Sequence, residues 1–144
     1  MKATMGDPND KASPDLKAGP ELNAAVAVEV FGWKPANPTH YLGSPIGNMK
    51  GPWYAPPGEE QSADAFWPDG YSTDIAAAWL VVEKMREKDW ELLLESPGFE
   101  QSVWVATWSH VGEPWAQESY RGQTAPEAIC NAALSAVRAG KDAT

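Results

Sequence analysis

The spacing of apolar residues changes twice along the chain, and this change most constrains the fold. In residues 21 to 31 and 73 to 88 apolar side chains recur at helical spacing, which predicts two amphipathic helices. Between residues 90 and 120 they alternate in three short stretches broken by turn residues, which predicts strands. Helical spacing then returns up to Gly140. The predicted class is therefore α+β, with a small antiparallel sheet of three or more strands and three helices in an α/β/α sandwich-like arrangement.

The apolar faces also predict how these elements pack. The stretch "SVWVATWSH" is apolar on both faces, which favours a central or doubly covered strand. In the third helix Thr124 and Glu127 fit a capping box, and Gly140 is predicted to end the helix. The second helix has a wide apolar face, which predicts contacts with both the sheet and a neighbouring helix; its members are Ile75, Trp79, Val82 and Met85.

Two segments lack apolar periodicity. Residues 1 to 18 are polar and rich in Asp, Pro and Lys, and we expect a disordered arm there, which leaves one domain over residues 19 to 140. Residues 35 to 70 are rich in proline and glycine but also in aromatic side chains. The aromatic residues indicate an insert that packs on the domain, with one or two short strands around Tyr41 and Trp53.

Charge and composition restrict the partners. The chain of 144 residues has a net charge of −9, and its few cations are scattered, so duplex nucleic acid is an unfavoured partner. No apolar run reaches about 18 residues, and no signal-like leader opens the sequence, so a soluble protein without membrane contact is expected. The single cysteine, Cys130, excludes an internal disulfide and favours a reducing compartment.

Residue patterns for catalysis and metal binding are weak. Cys130 lies on an apolar helix face and is interpreted as a core thiol. Ser109 and His110 are adjacent on a strand and point to opposite sides, while His40 is distant in sequence, so no nucleophile and base pair is predicted. Metal-ligand spacing and glycine-rich phosphate motifs are also missing from the sequence. We therefore expect no enzymatic activity, no metal and no cofactor.

The strongest candidate site lies at the helix starts. Free backbone N–H groups there favour an anion, and two starts on one sheet edge could hold a ligand between them. The candidate ligand-binding residues are Ser72, Thr73 and Asp74 before the second helix, Thr124 before the third, Arg121 as a nearby cation, and Trp53, Trp67 and Tyr71 as a stacking wall. Asp74 would repel a phosphate, so it is predicted to accept hydrogen bonds from a ribose hydroxyl or a base edge. The alternative is that Ser72 or Thr73, like Thr124, is an ordinary helix cap.

Three segments carry a family resemblance. "LNAAVAVEVFGWK", "YSTDIAAAWLVVEKM" and "TAPEAICNAALSAV" together resemble the phage ABA sandwich domain family. The resemblance implies a small layered α/β/α domain of phage or prophage origin that works in the host bacterial cytoplasm. The long aromatic insert departs from the family pattern.

These observations lead to two functional hypotheses. In the first, the protein is a phage accessory protein that binds a small ligand and sequesters a nucleotide-derived host immune signal, such as a cyclic nucleotide or an ADP-ribose derivative. In the second, it docks on a host protein through its acidic and aromatic surface. A homo-oligomer is predicted if the ligand is enclosed, because one small sheet offers few deep pockets.

Overall fold

Helices and strands alternate in the order that the apolar spacing predicts. The computed structural model describes residues 16–49, 51–98, 102–113 and 115–142. Its helices are α1 (Pro20–Glu29), α2 (Ile75–Glu87) and α3 (Ala125–Asp142). Its strands are β1 (Lys34–Ala36), β2 (His40–Tyr41), β3 (Ser44–Pro45), β4 (Trp53–Ala55), β5 (Trp90–Glu95), β6 (Trp104–His110) and β7 (Gln117–Gly122). The predicted α+β class is confirmed.

The main sheet is antiparallel, and its strand order is β5, β6, β7. The central position of β6 confirms the interpretation of its two apolar faces. Leu92 lies opposite Trp108, which lies opposite Glu118 on the other side. Because side chains alternate along a strand, this register points Trp108 and Ala106 to the same face, where both are fully buried.

The helix α3 covers the inner face of this sheet. The indole Nε1 of Trp108 donates a hydrogen bond to the carbonyl oxygen of Ile129 at 3.3 Å. Gly122 approaches the first turn of α3 so closely that an added Cβ would lie 2.5 Å from the backbone nitrogen of Ala128. The helix α2 contacts both α3 and β5, and α1 contacts α3. The core therefore lies between the sheet and the helices.

Two details of the predicted helices are wrong. Ile75 and Trp79, assigned to the buried face of α2, are 53% and 50% exposed. The other two members of the predicted face, Val82 and Met85, are buried, and Ala77, Ala78 and Val81 are buried with them. The helix α3 also continues through Gly140 to Asp142. A glycine in the last turn costs helix stability but does not by itself end a helix.

The insert forms two small two-stranded sheets. Strand β1, at its start, pairs antiparallel with β4, and β2 pairs with β3. An isolated bridge joins Tyr54 to Phe66, and another joins His40 to Asp64. The strands predicted around Tyr41 and Trp53 are therefore present, and the aromatic residues hold the insert together. The peptide bond between Gly51 and Pro52 is cis.

The predicted N-terminal arm lies mostly outside the described residues, which begin at residue 16. Leu16 donates its N–H to Asn131 Oδ1 at 3.3 Å, and Asn131 Nδ2 donates to the Leu16 carbonyl oxygen at 2.8 Å. This part of the segment is thus fixed to α3. None of the helices within the described ranges is long and apolar enough to cross a membrane.

Candidate ligand groove beside the first helix

Ser72, a predicted ligand contact, is fully buried. Its hydroxyl accepts a hydrogen bond from the Gly19 N–H at 2.9 Å and donates one to Asn23 Oδ1 at 2.6 Å. The Ser72 N–H donates to the same oxygen at 2.8 Å. Ser72 therefore joins the segment before α2 to the first turn of α1, and both its N–H and its hydroxyl are hydrogen-bonded within the protein.

The cap of α2 is Asp74, so the cap predicted at Ser72 or Thr73 is wrong. Asp74 Oδ1 accepts a hydrogen bond from the Ala76 N–H at 3.0 Å, in the extended backbone conformation typical of a cap. Thr73 is exposed, and its hydroxyl lies 3.4 Å from the Gly70 carbonyl oxygen. Since Asp74 supplies the negative charge that the helix dipole favours, a bound anion would be repelled here.

Tyr71 belongs to the core and not to a ligand wall. Its ring stacks on Phe31 with centroids 4.7 Å apart and an interplanar angle of 12°. Only 3% of the residue is exposed. Burial raises the pKa of Tyr71 to about 12, with a smaller contribution from the nearby carboxylate of Asp69. The neutral phenol is therefore the form that the fold favours.

The start of α3 has a modified capping box. Thr124 Oγ1 accepts a hydrogen bond from the Glu127 N–H at 3.3 Å, as predicted. Glu127 Oε1 accepts from the Gln123 N–H at 2.7 Å, one residue before the position that a capping box uses. Glu127 Oε2 accepts from the Ala18 N–H at 2.7 Å. A protein carboxylate thus occupies the place predicted for a ligand anion.

Arg121 points away from this helix start. It lies on β7 between Tyr120, which packs on the core, and Gly122, which contacts α3. Because side chains alternate along a strand, Arg121 lies on the opposite face of the sheet, where it is exposed. It is thus not a phosphate ligand shared with the helix starts.

The helix starts do lie close together, as predicted. Ala18 bonds to Glu127 in α3, and the next residue, Gly19, bonds to Ser72 before α2. A single backbone segment therefore joins the starts of all three helices. Protein groups satisfy one another at this junction, so it is a structural feature of the fold.

A groove of about 700 Å³ lies between α1 and the insert. The described residues that line it are Pro20, Glu21, Asn23, Ala24, Ala25, Val28, Glu29, Pro35, Gly51, Pro52, Tyr54, Trp67 and Pro68. Trp67, predicted as part of a stacking wall, is 49% exposed. Trp53 contacts the Trp67 ring with centroids 4.7 Å apart, and Tyr41 meets Trp67 edge-on at 6.2 Å. Trp67 is thus a wall of the groove, and Trp53 supports it.

The polar side chains that line the groove differ in whether they have a hydrogen-bond partner within the protein. Arg138 in α3 holds Glu29 in a two-pronged ion pair, with Nε to Oε1 and Nη2 to Oε2 both at 2.7 Å. The hydrogen bonds to Glu29 raise the pKa of Arg138. Asn23 uses its Oδ1 for Ser72. Glu21 is exposed, and it has no hydrogen bond or ion pair with another described residue.

The sequence predicted the insert wall of this groove but not the wall formed by α1. The insert wall had a signal, because prolines flank the aromatic residues in "GPWYAPPG" and "FWPDG". The α1 wall had none. Pro20, Glu21 and Asn23 form an ordinary first turn, and they line a groove only because the insert folds back beside them.

The described residues contain no group of three or more His, Cys, Asp or Glu side chains that could hold a metal ion. His40 Nδ1 bonds to Thr39 Oγ1 at 2.9 Å, and His110 Nδ1 accepts from the Gly112 N–H at 3.1 Å. Cys130 is fully buried, which confirms the interpretation as a core thiol. Burial raises the pKa of the Cys130 thiol, so the reactive thiolate is disfavoured.

The fold and the groove define a small α+β domain in which helices cover one face of a three-stranded sheet and an aromatic insert lies beside the first helix. A phage ABA sandwich domain model matches residues 24–134, and the chain belongs to that family. The fold resembles the crystal structure of a phage protein from Bacillus cereus ATCC 14579, with a TM-score of 0.59, 19% sequence identity, and coverage of 85% of this chain and 94% of that one. No curated protein matches the chain.

Proposed function

We propose that the protein is a phage accessory protein that acts by binding a small ligand in the groove beside α1. The observation that carries this proposal is the half-exposed ring of Trp67 on an otherwise mainly apolar wall. A volume of about 700 Å³ is in the range of small-molecule sites. Indole rings are also favourable stacking faces for flat ligands.

The proposed ligand class is a nucleotide-derived host signal, and the aromatic wall of the groove favours binding of its base. A base ring can stack on Trp67 between the prolines of the insert and α1. The junction of the helix starts offers nothing to a phosphate, because Asp74 and Glu127 already occupy it. We therefore place the base in the groove and the phosphate towards solvent. Binding without turnover would sequester such a signal in the host cytoplasm.

A thermal-shift screen with cyclic dinucleotides and cyclic ADP-ribose isomers tests the proposal. A ligand at 100 times its Kd adds about 2.7 kcal/mol of stability, which raises the Tm by several degrees. Trp67→Ala should remove the shift because it deletes the stacking face. Trp115→Ala is the matched control, because Trp115 is 78% exposed and does not line the groove.

Equal loss of the shift in both tryptophan variants would place the ligand outside the groove. No stabilisation by any of these compounds at millimolar concentration would contradict the nucleotide class. Loss of compound during incubation, followed by chromatography, would instead indicate an enzyme.

Docking on a host protein is the second candidate, and the outer face of α2 favours it. Ile75, Trp79 and Leu80 are exposed there within two turns of one helix. Large exposed apolar residues, tryptophan above all, are typical of interface hot spots. A pull-down from host lysate with the wild type and with Trp79→Ala tests this candidate. A partner that both proteins retain equally would argue against α2 as the docking surface.

Oligomer formation is a separate prediction. The groove is formed within one chain, so ligand binding in it does not require a second copy. Light scattering at micromolar concentration, with and without a ligand from the screen, tests whether the protein associates. A monomer in both conditions would contradict the predicted homo-oligomer and leave the groove proposal intact.

A further inference from the structure

The polar groups of the groove restrict the edge that a ligand ring can present. The charged lining residues that the structure describes are both acids, Glu21 and Glu29. Glu29 is paired with Arg138, and the side-chain Oδ1 of Asn23 accepts hydrogen bonds from Ser72. Glu21 is thus the charged group available to a ligand. A carboxylate is an acceptor only, so it selects for hydrogen-bond donors.

The position of Glu21 joins this acceptor to a stacking surface. Glu21 is in the first turn of α1 and lines the helical wall of the groove. Trp67 and Tyr54 line the same groove from the insert. The strongest neutral partner for a carboxylate is a pair of adjacent N–H donors that reaches both oxygens at once. A ring in this groove would therefore be held by its face and by its edge.

We propose that the groove takes a planar ring with two adjacent N–H donors, with Glu21 as their acceptor and Trp67 as the stacking face. This inference rests on the proposed binding function and names its ligand class. A guanine base presents such an edge through N1–H and the 2-amino group. Adenine presents a ring nitrogen next to its amino group. The lone pair of that nitrogen would be repelled by the carboxylate. An aromatic amidinium ion offers the same donor pair with a positive charge.

Isothermal titration with guanosine, inosine, adenosine and benzamidine tests this proposal. Inosine is guanosine without the 2-amino group, so the pair isolates one hydrogen bond. We expect guanosine to bind at least about tenfold more tightly than inosine and adenosine, since one charge-assisted hydrogen bond is worth roughly that factor. Benzamidine separates the sources: Glu21-dependent binding of benzamidine without binding of guanosine identifies the cation as the ligand type.

Variants connect the preference to its residues. Glu21→Gln should abolish the preference for guanosine over inosine and leave the inosine Kd within about threefold, because the amide has no charge and carries an NH2 donor in place of one of the two acceptor oxygens. Trp67→Ala should weaken all ring ligands about tenfold or more, consistent with the worth of one stacked base. Glu91→Gln is the control, since Glu91 is an exposed carboxylate on β5 outside the groove.

The outcomes separate this inference from the binding function. Adenosine that binds as tightly as guanosine, or a preference that survives Glu21→Gln, overturns the donor-edge inference while Trp67-dependent binding upholds the groove. Absence of binding by all four probes at millimolar concentration overturns the inference. Absence of any shift in the nucleotide screen as well overturns the proposed function.

Discussion

Ser72 and Thr73 are neighbours in the sequence but have opposite surroundings. Ser72 is fully buried and hydrogen-bonded to Gly19 and Asn23, whereas Thr73 is exposed. We predict that Ser72→Ala lowers the free energy of unfolding by about 1–3 kcal/mol, because it leaves the Gly19 N–H without its acceptor. Thr73→Ala should change it by less than about 0.5 kcal/mol.

Urea unfolding of the two variants checks this contrast. A loss in Thr73→Ala as large as that in Ser72→Ala would contradict the structural role assigned to Ser72. A ligand that binds the wild type in the proposed groove should still bind each variant at low temperature, since neither residue lines the groove.

The buried phenol of Tyr71 predicts a pH dependence of stability. In the unfolded chain Tyr71 loses its proton near pH 10, whereas in the folded protein its pKa is about 12 because of burial. Between these values unfolding releases a proton, so the free energy of unfolding falls as the pH rises, by up to about 1.4 kcal/mol per pH unit. At neutral pH the phenol is protonated in both states, and this dependence disappears.

Urea unfolding at pH 8 and pH 11 for the wild type and Tyr71→Phe measures this contribution. The wild type should lose more stability between the two pH values, because phenylalanine has no proton to release. Cys130 also has a raised pKa, but it is present in both proteins, so its contribution cancels. Equal losses would contradict a buried neutral Tyr71.

Among the contacts between elements, β7 and α3 approach each other very closely at Gly122. A Cβ added to Gly122 would lie 2.5 Å from the nitrogen and 2.9 Å from the Cα of Ala128, both of them backbone atoms that cannot move separately. Gly122→Ala should therefore cost about 3 kcal/mol of stability, at the upper end for overpacking. Gly98→Ala is the control, because nothing lies within 4 Å of its added Cβ.

Thermal unfolding of the two glycine variants distinguishes the positions. A drop in Tm of about ten degrees or more is expected for Gly122→Ala, and little change for Gly98→Ala. Equal Tm values would mean that α3 does not approach the sheet at Gly122 as closely as the structure indicates.

The elements were predicted best where hydrophobic spacing is decisive. Both apolar faces of β6 indicated a central strand, and it is central. The apolar face of α2 was predicted correctly in part, because Val82 and Met85 are buried whereas Ile75 and Trp79 are exposed, and the small residue Ala78 is fully buried. Close helix packing favours alanine, whereas spacing arguments give Trp79 and Ile75 more weight.

At the scale of the whole molecule, the candidate site could be predicted only in part. The aromatic content of the insert identified Trp53 and Trp67, but the opposite wall comes from α1, and pairings such as Ala36 with Trp53 bring the two together. Such non-local contacts leave no spacing signal in the sequence. The sequence predicted that the helix starts lie together, but it did not predict that protein groups bond to one another there. Whether Glu127 bonds to a ligand or to Ala18 depends on the path of the residues before α1.

Ligand binding in the proposed groove beside α1 can be tested directly, because the chain has eight tryptophans. The indole N–H signals of ¹⁵N-labelled protein can be assigned with single Trp→Phe variants and followed by NMR during a titration with 3′,5′-cyclic GMP. We predict that the signals of Trp67 and Trp53 move, while those of buried Trp108 and exposed Trp115 stay in place. Movement of the Trp79 or Trp115 signals alone, or of none at millimolar ligand, would contradict the groove as the binding site.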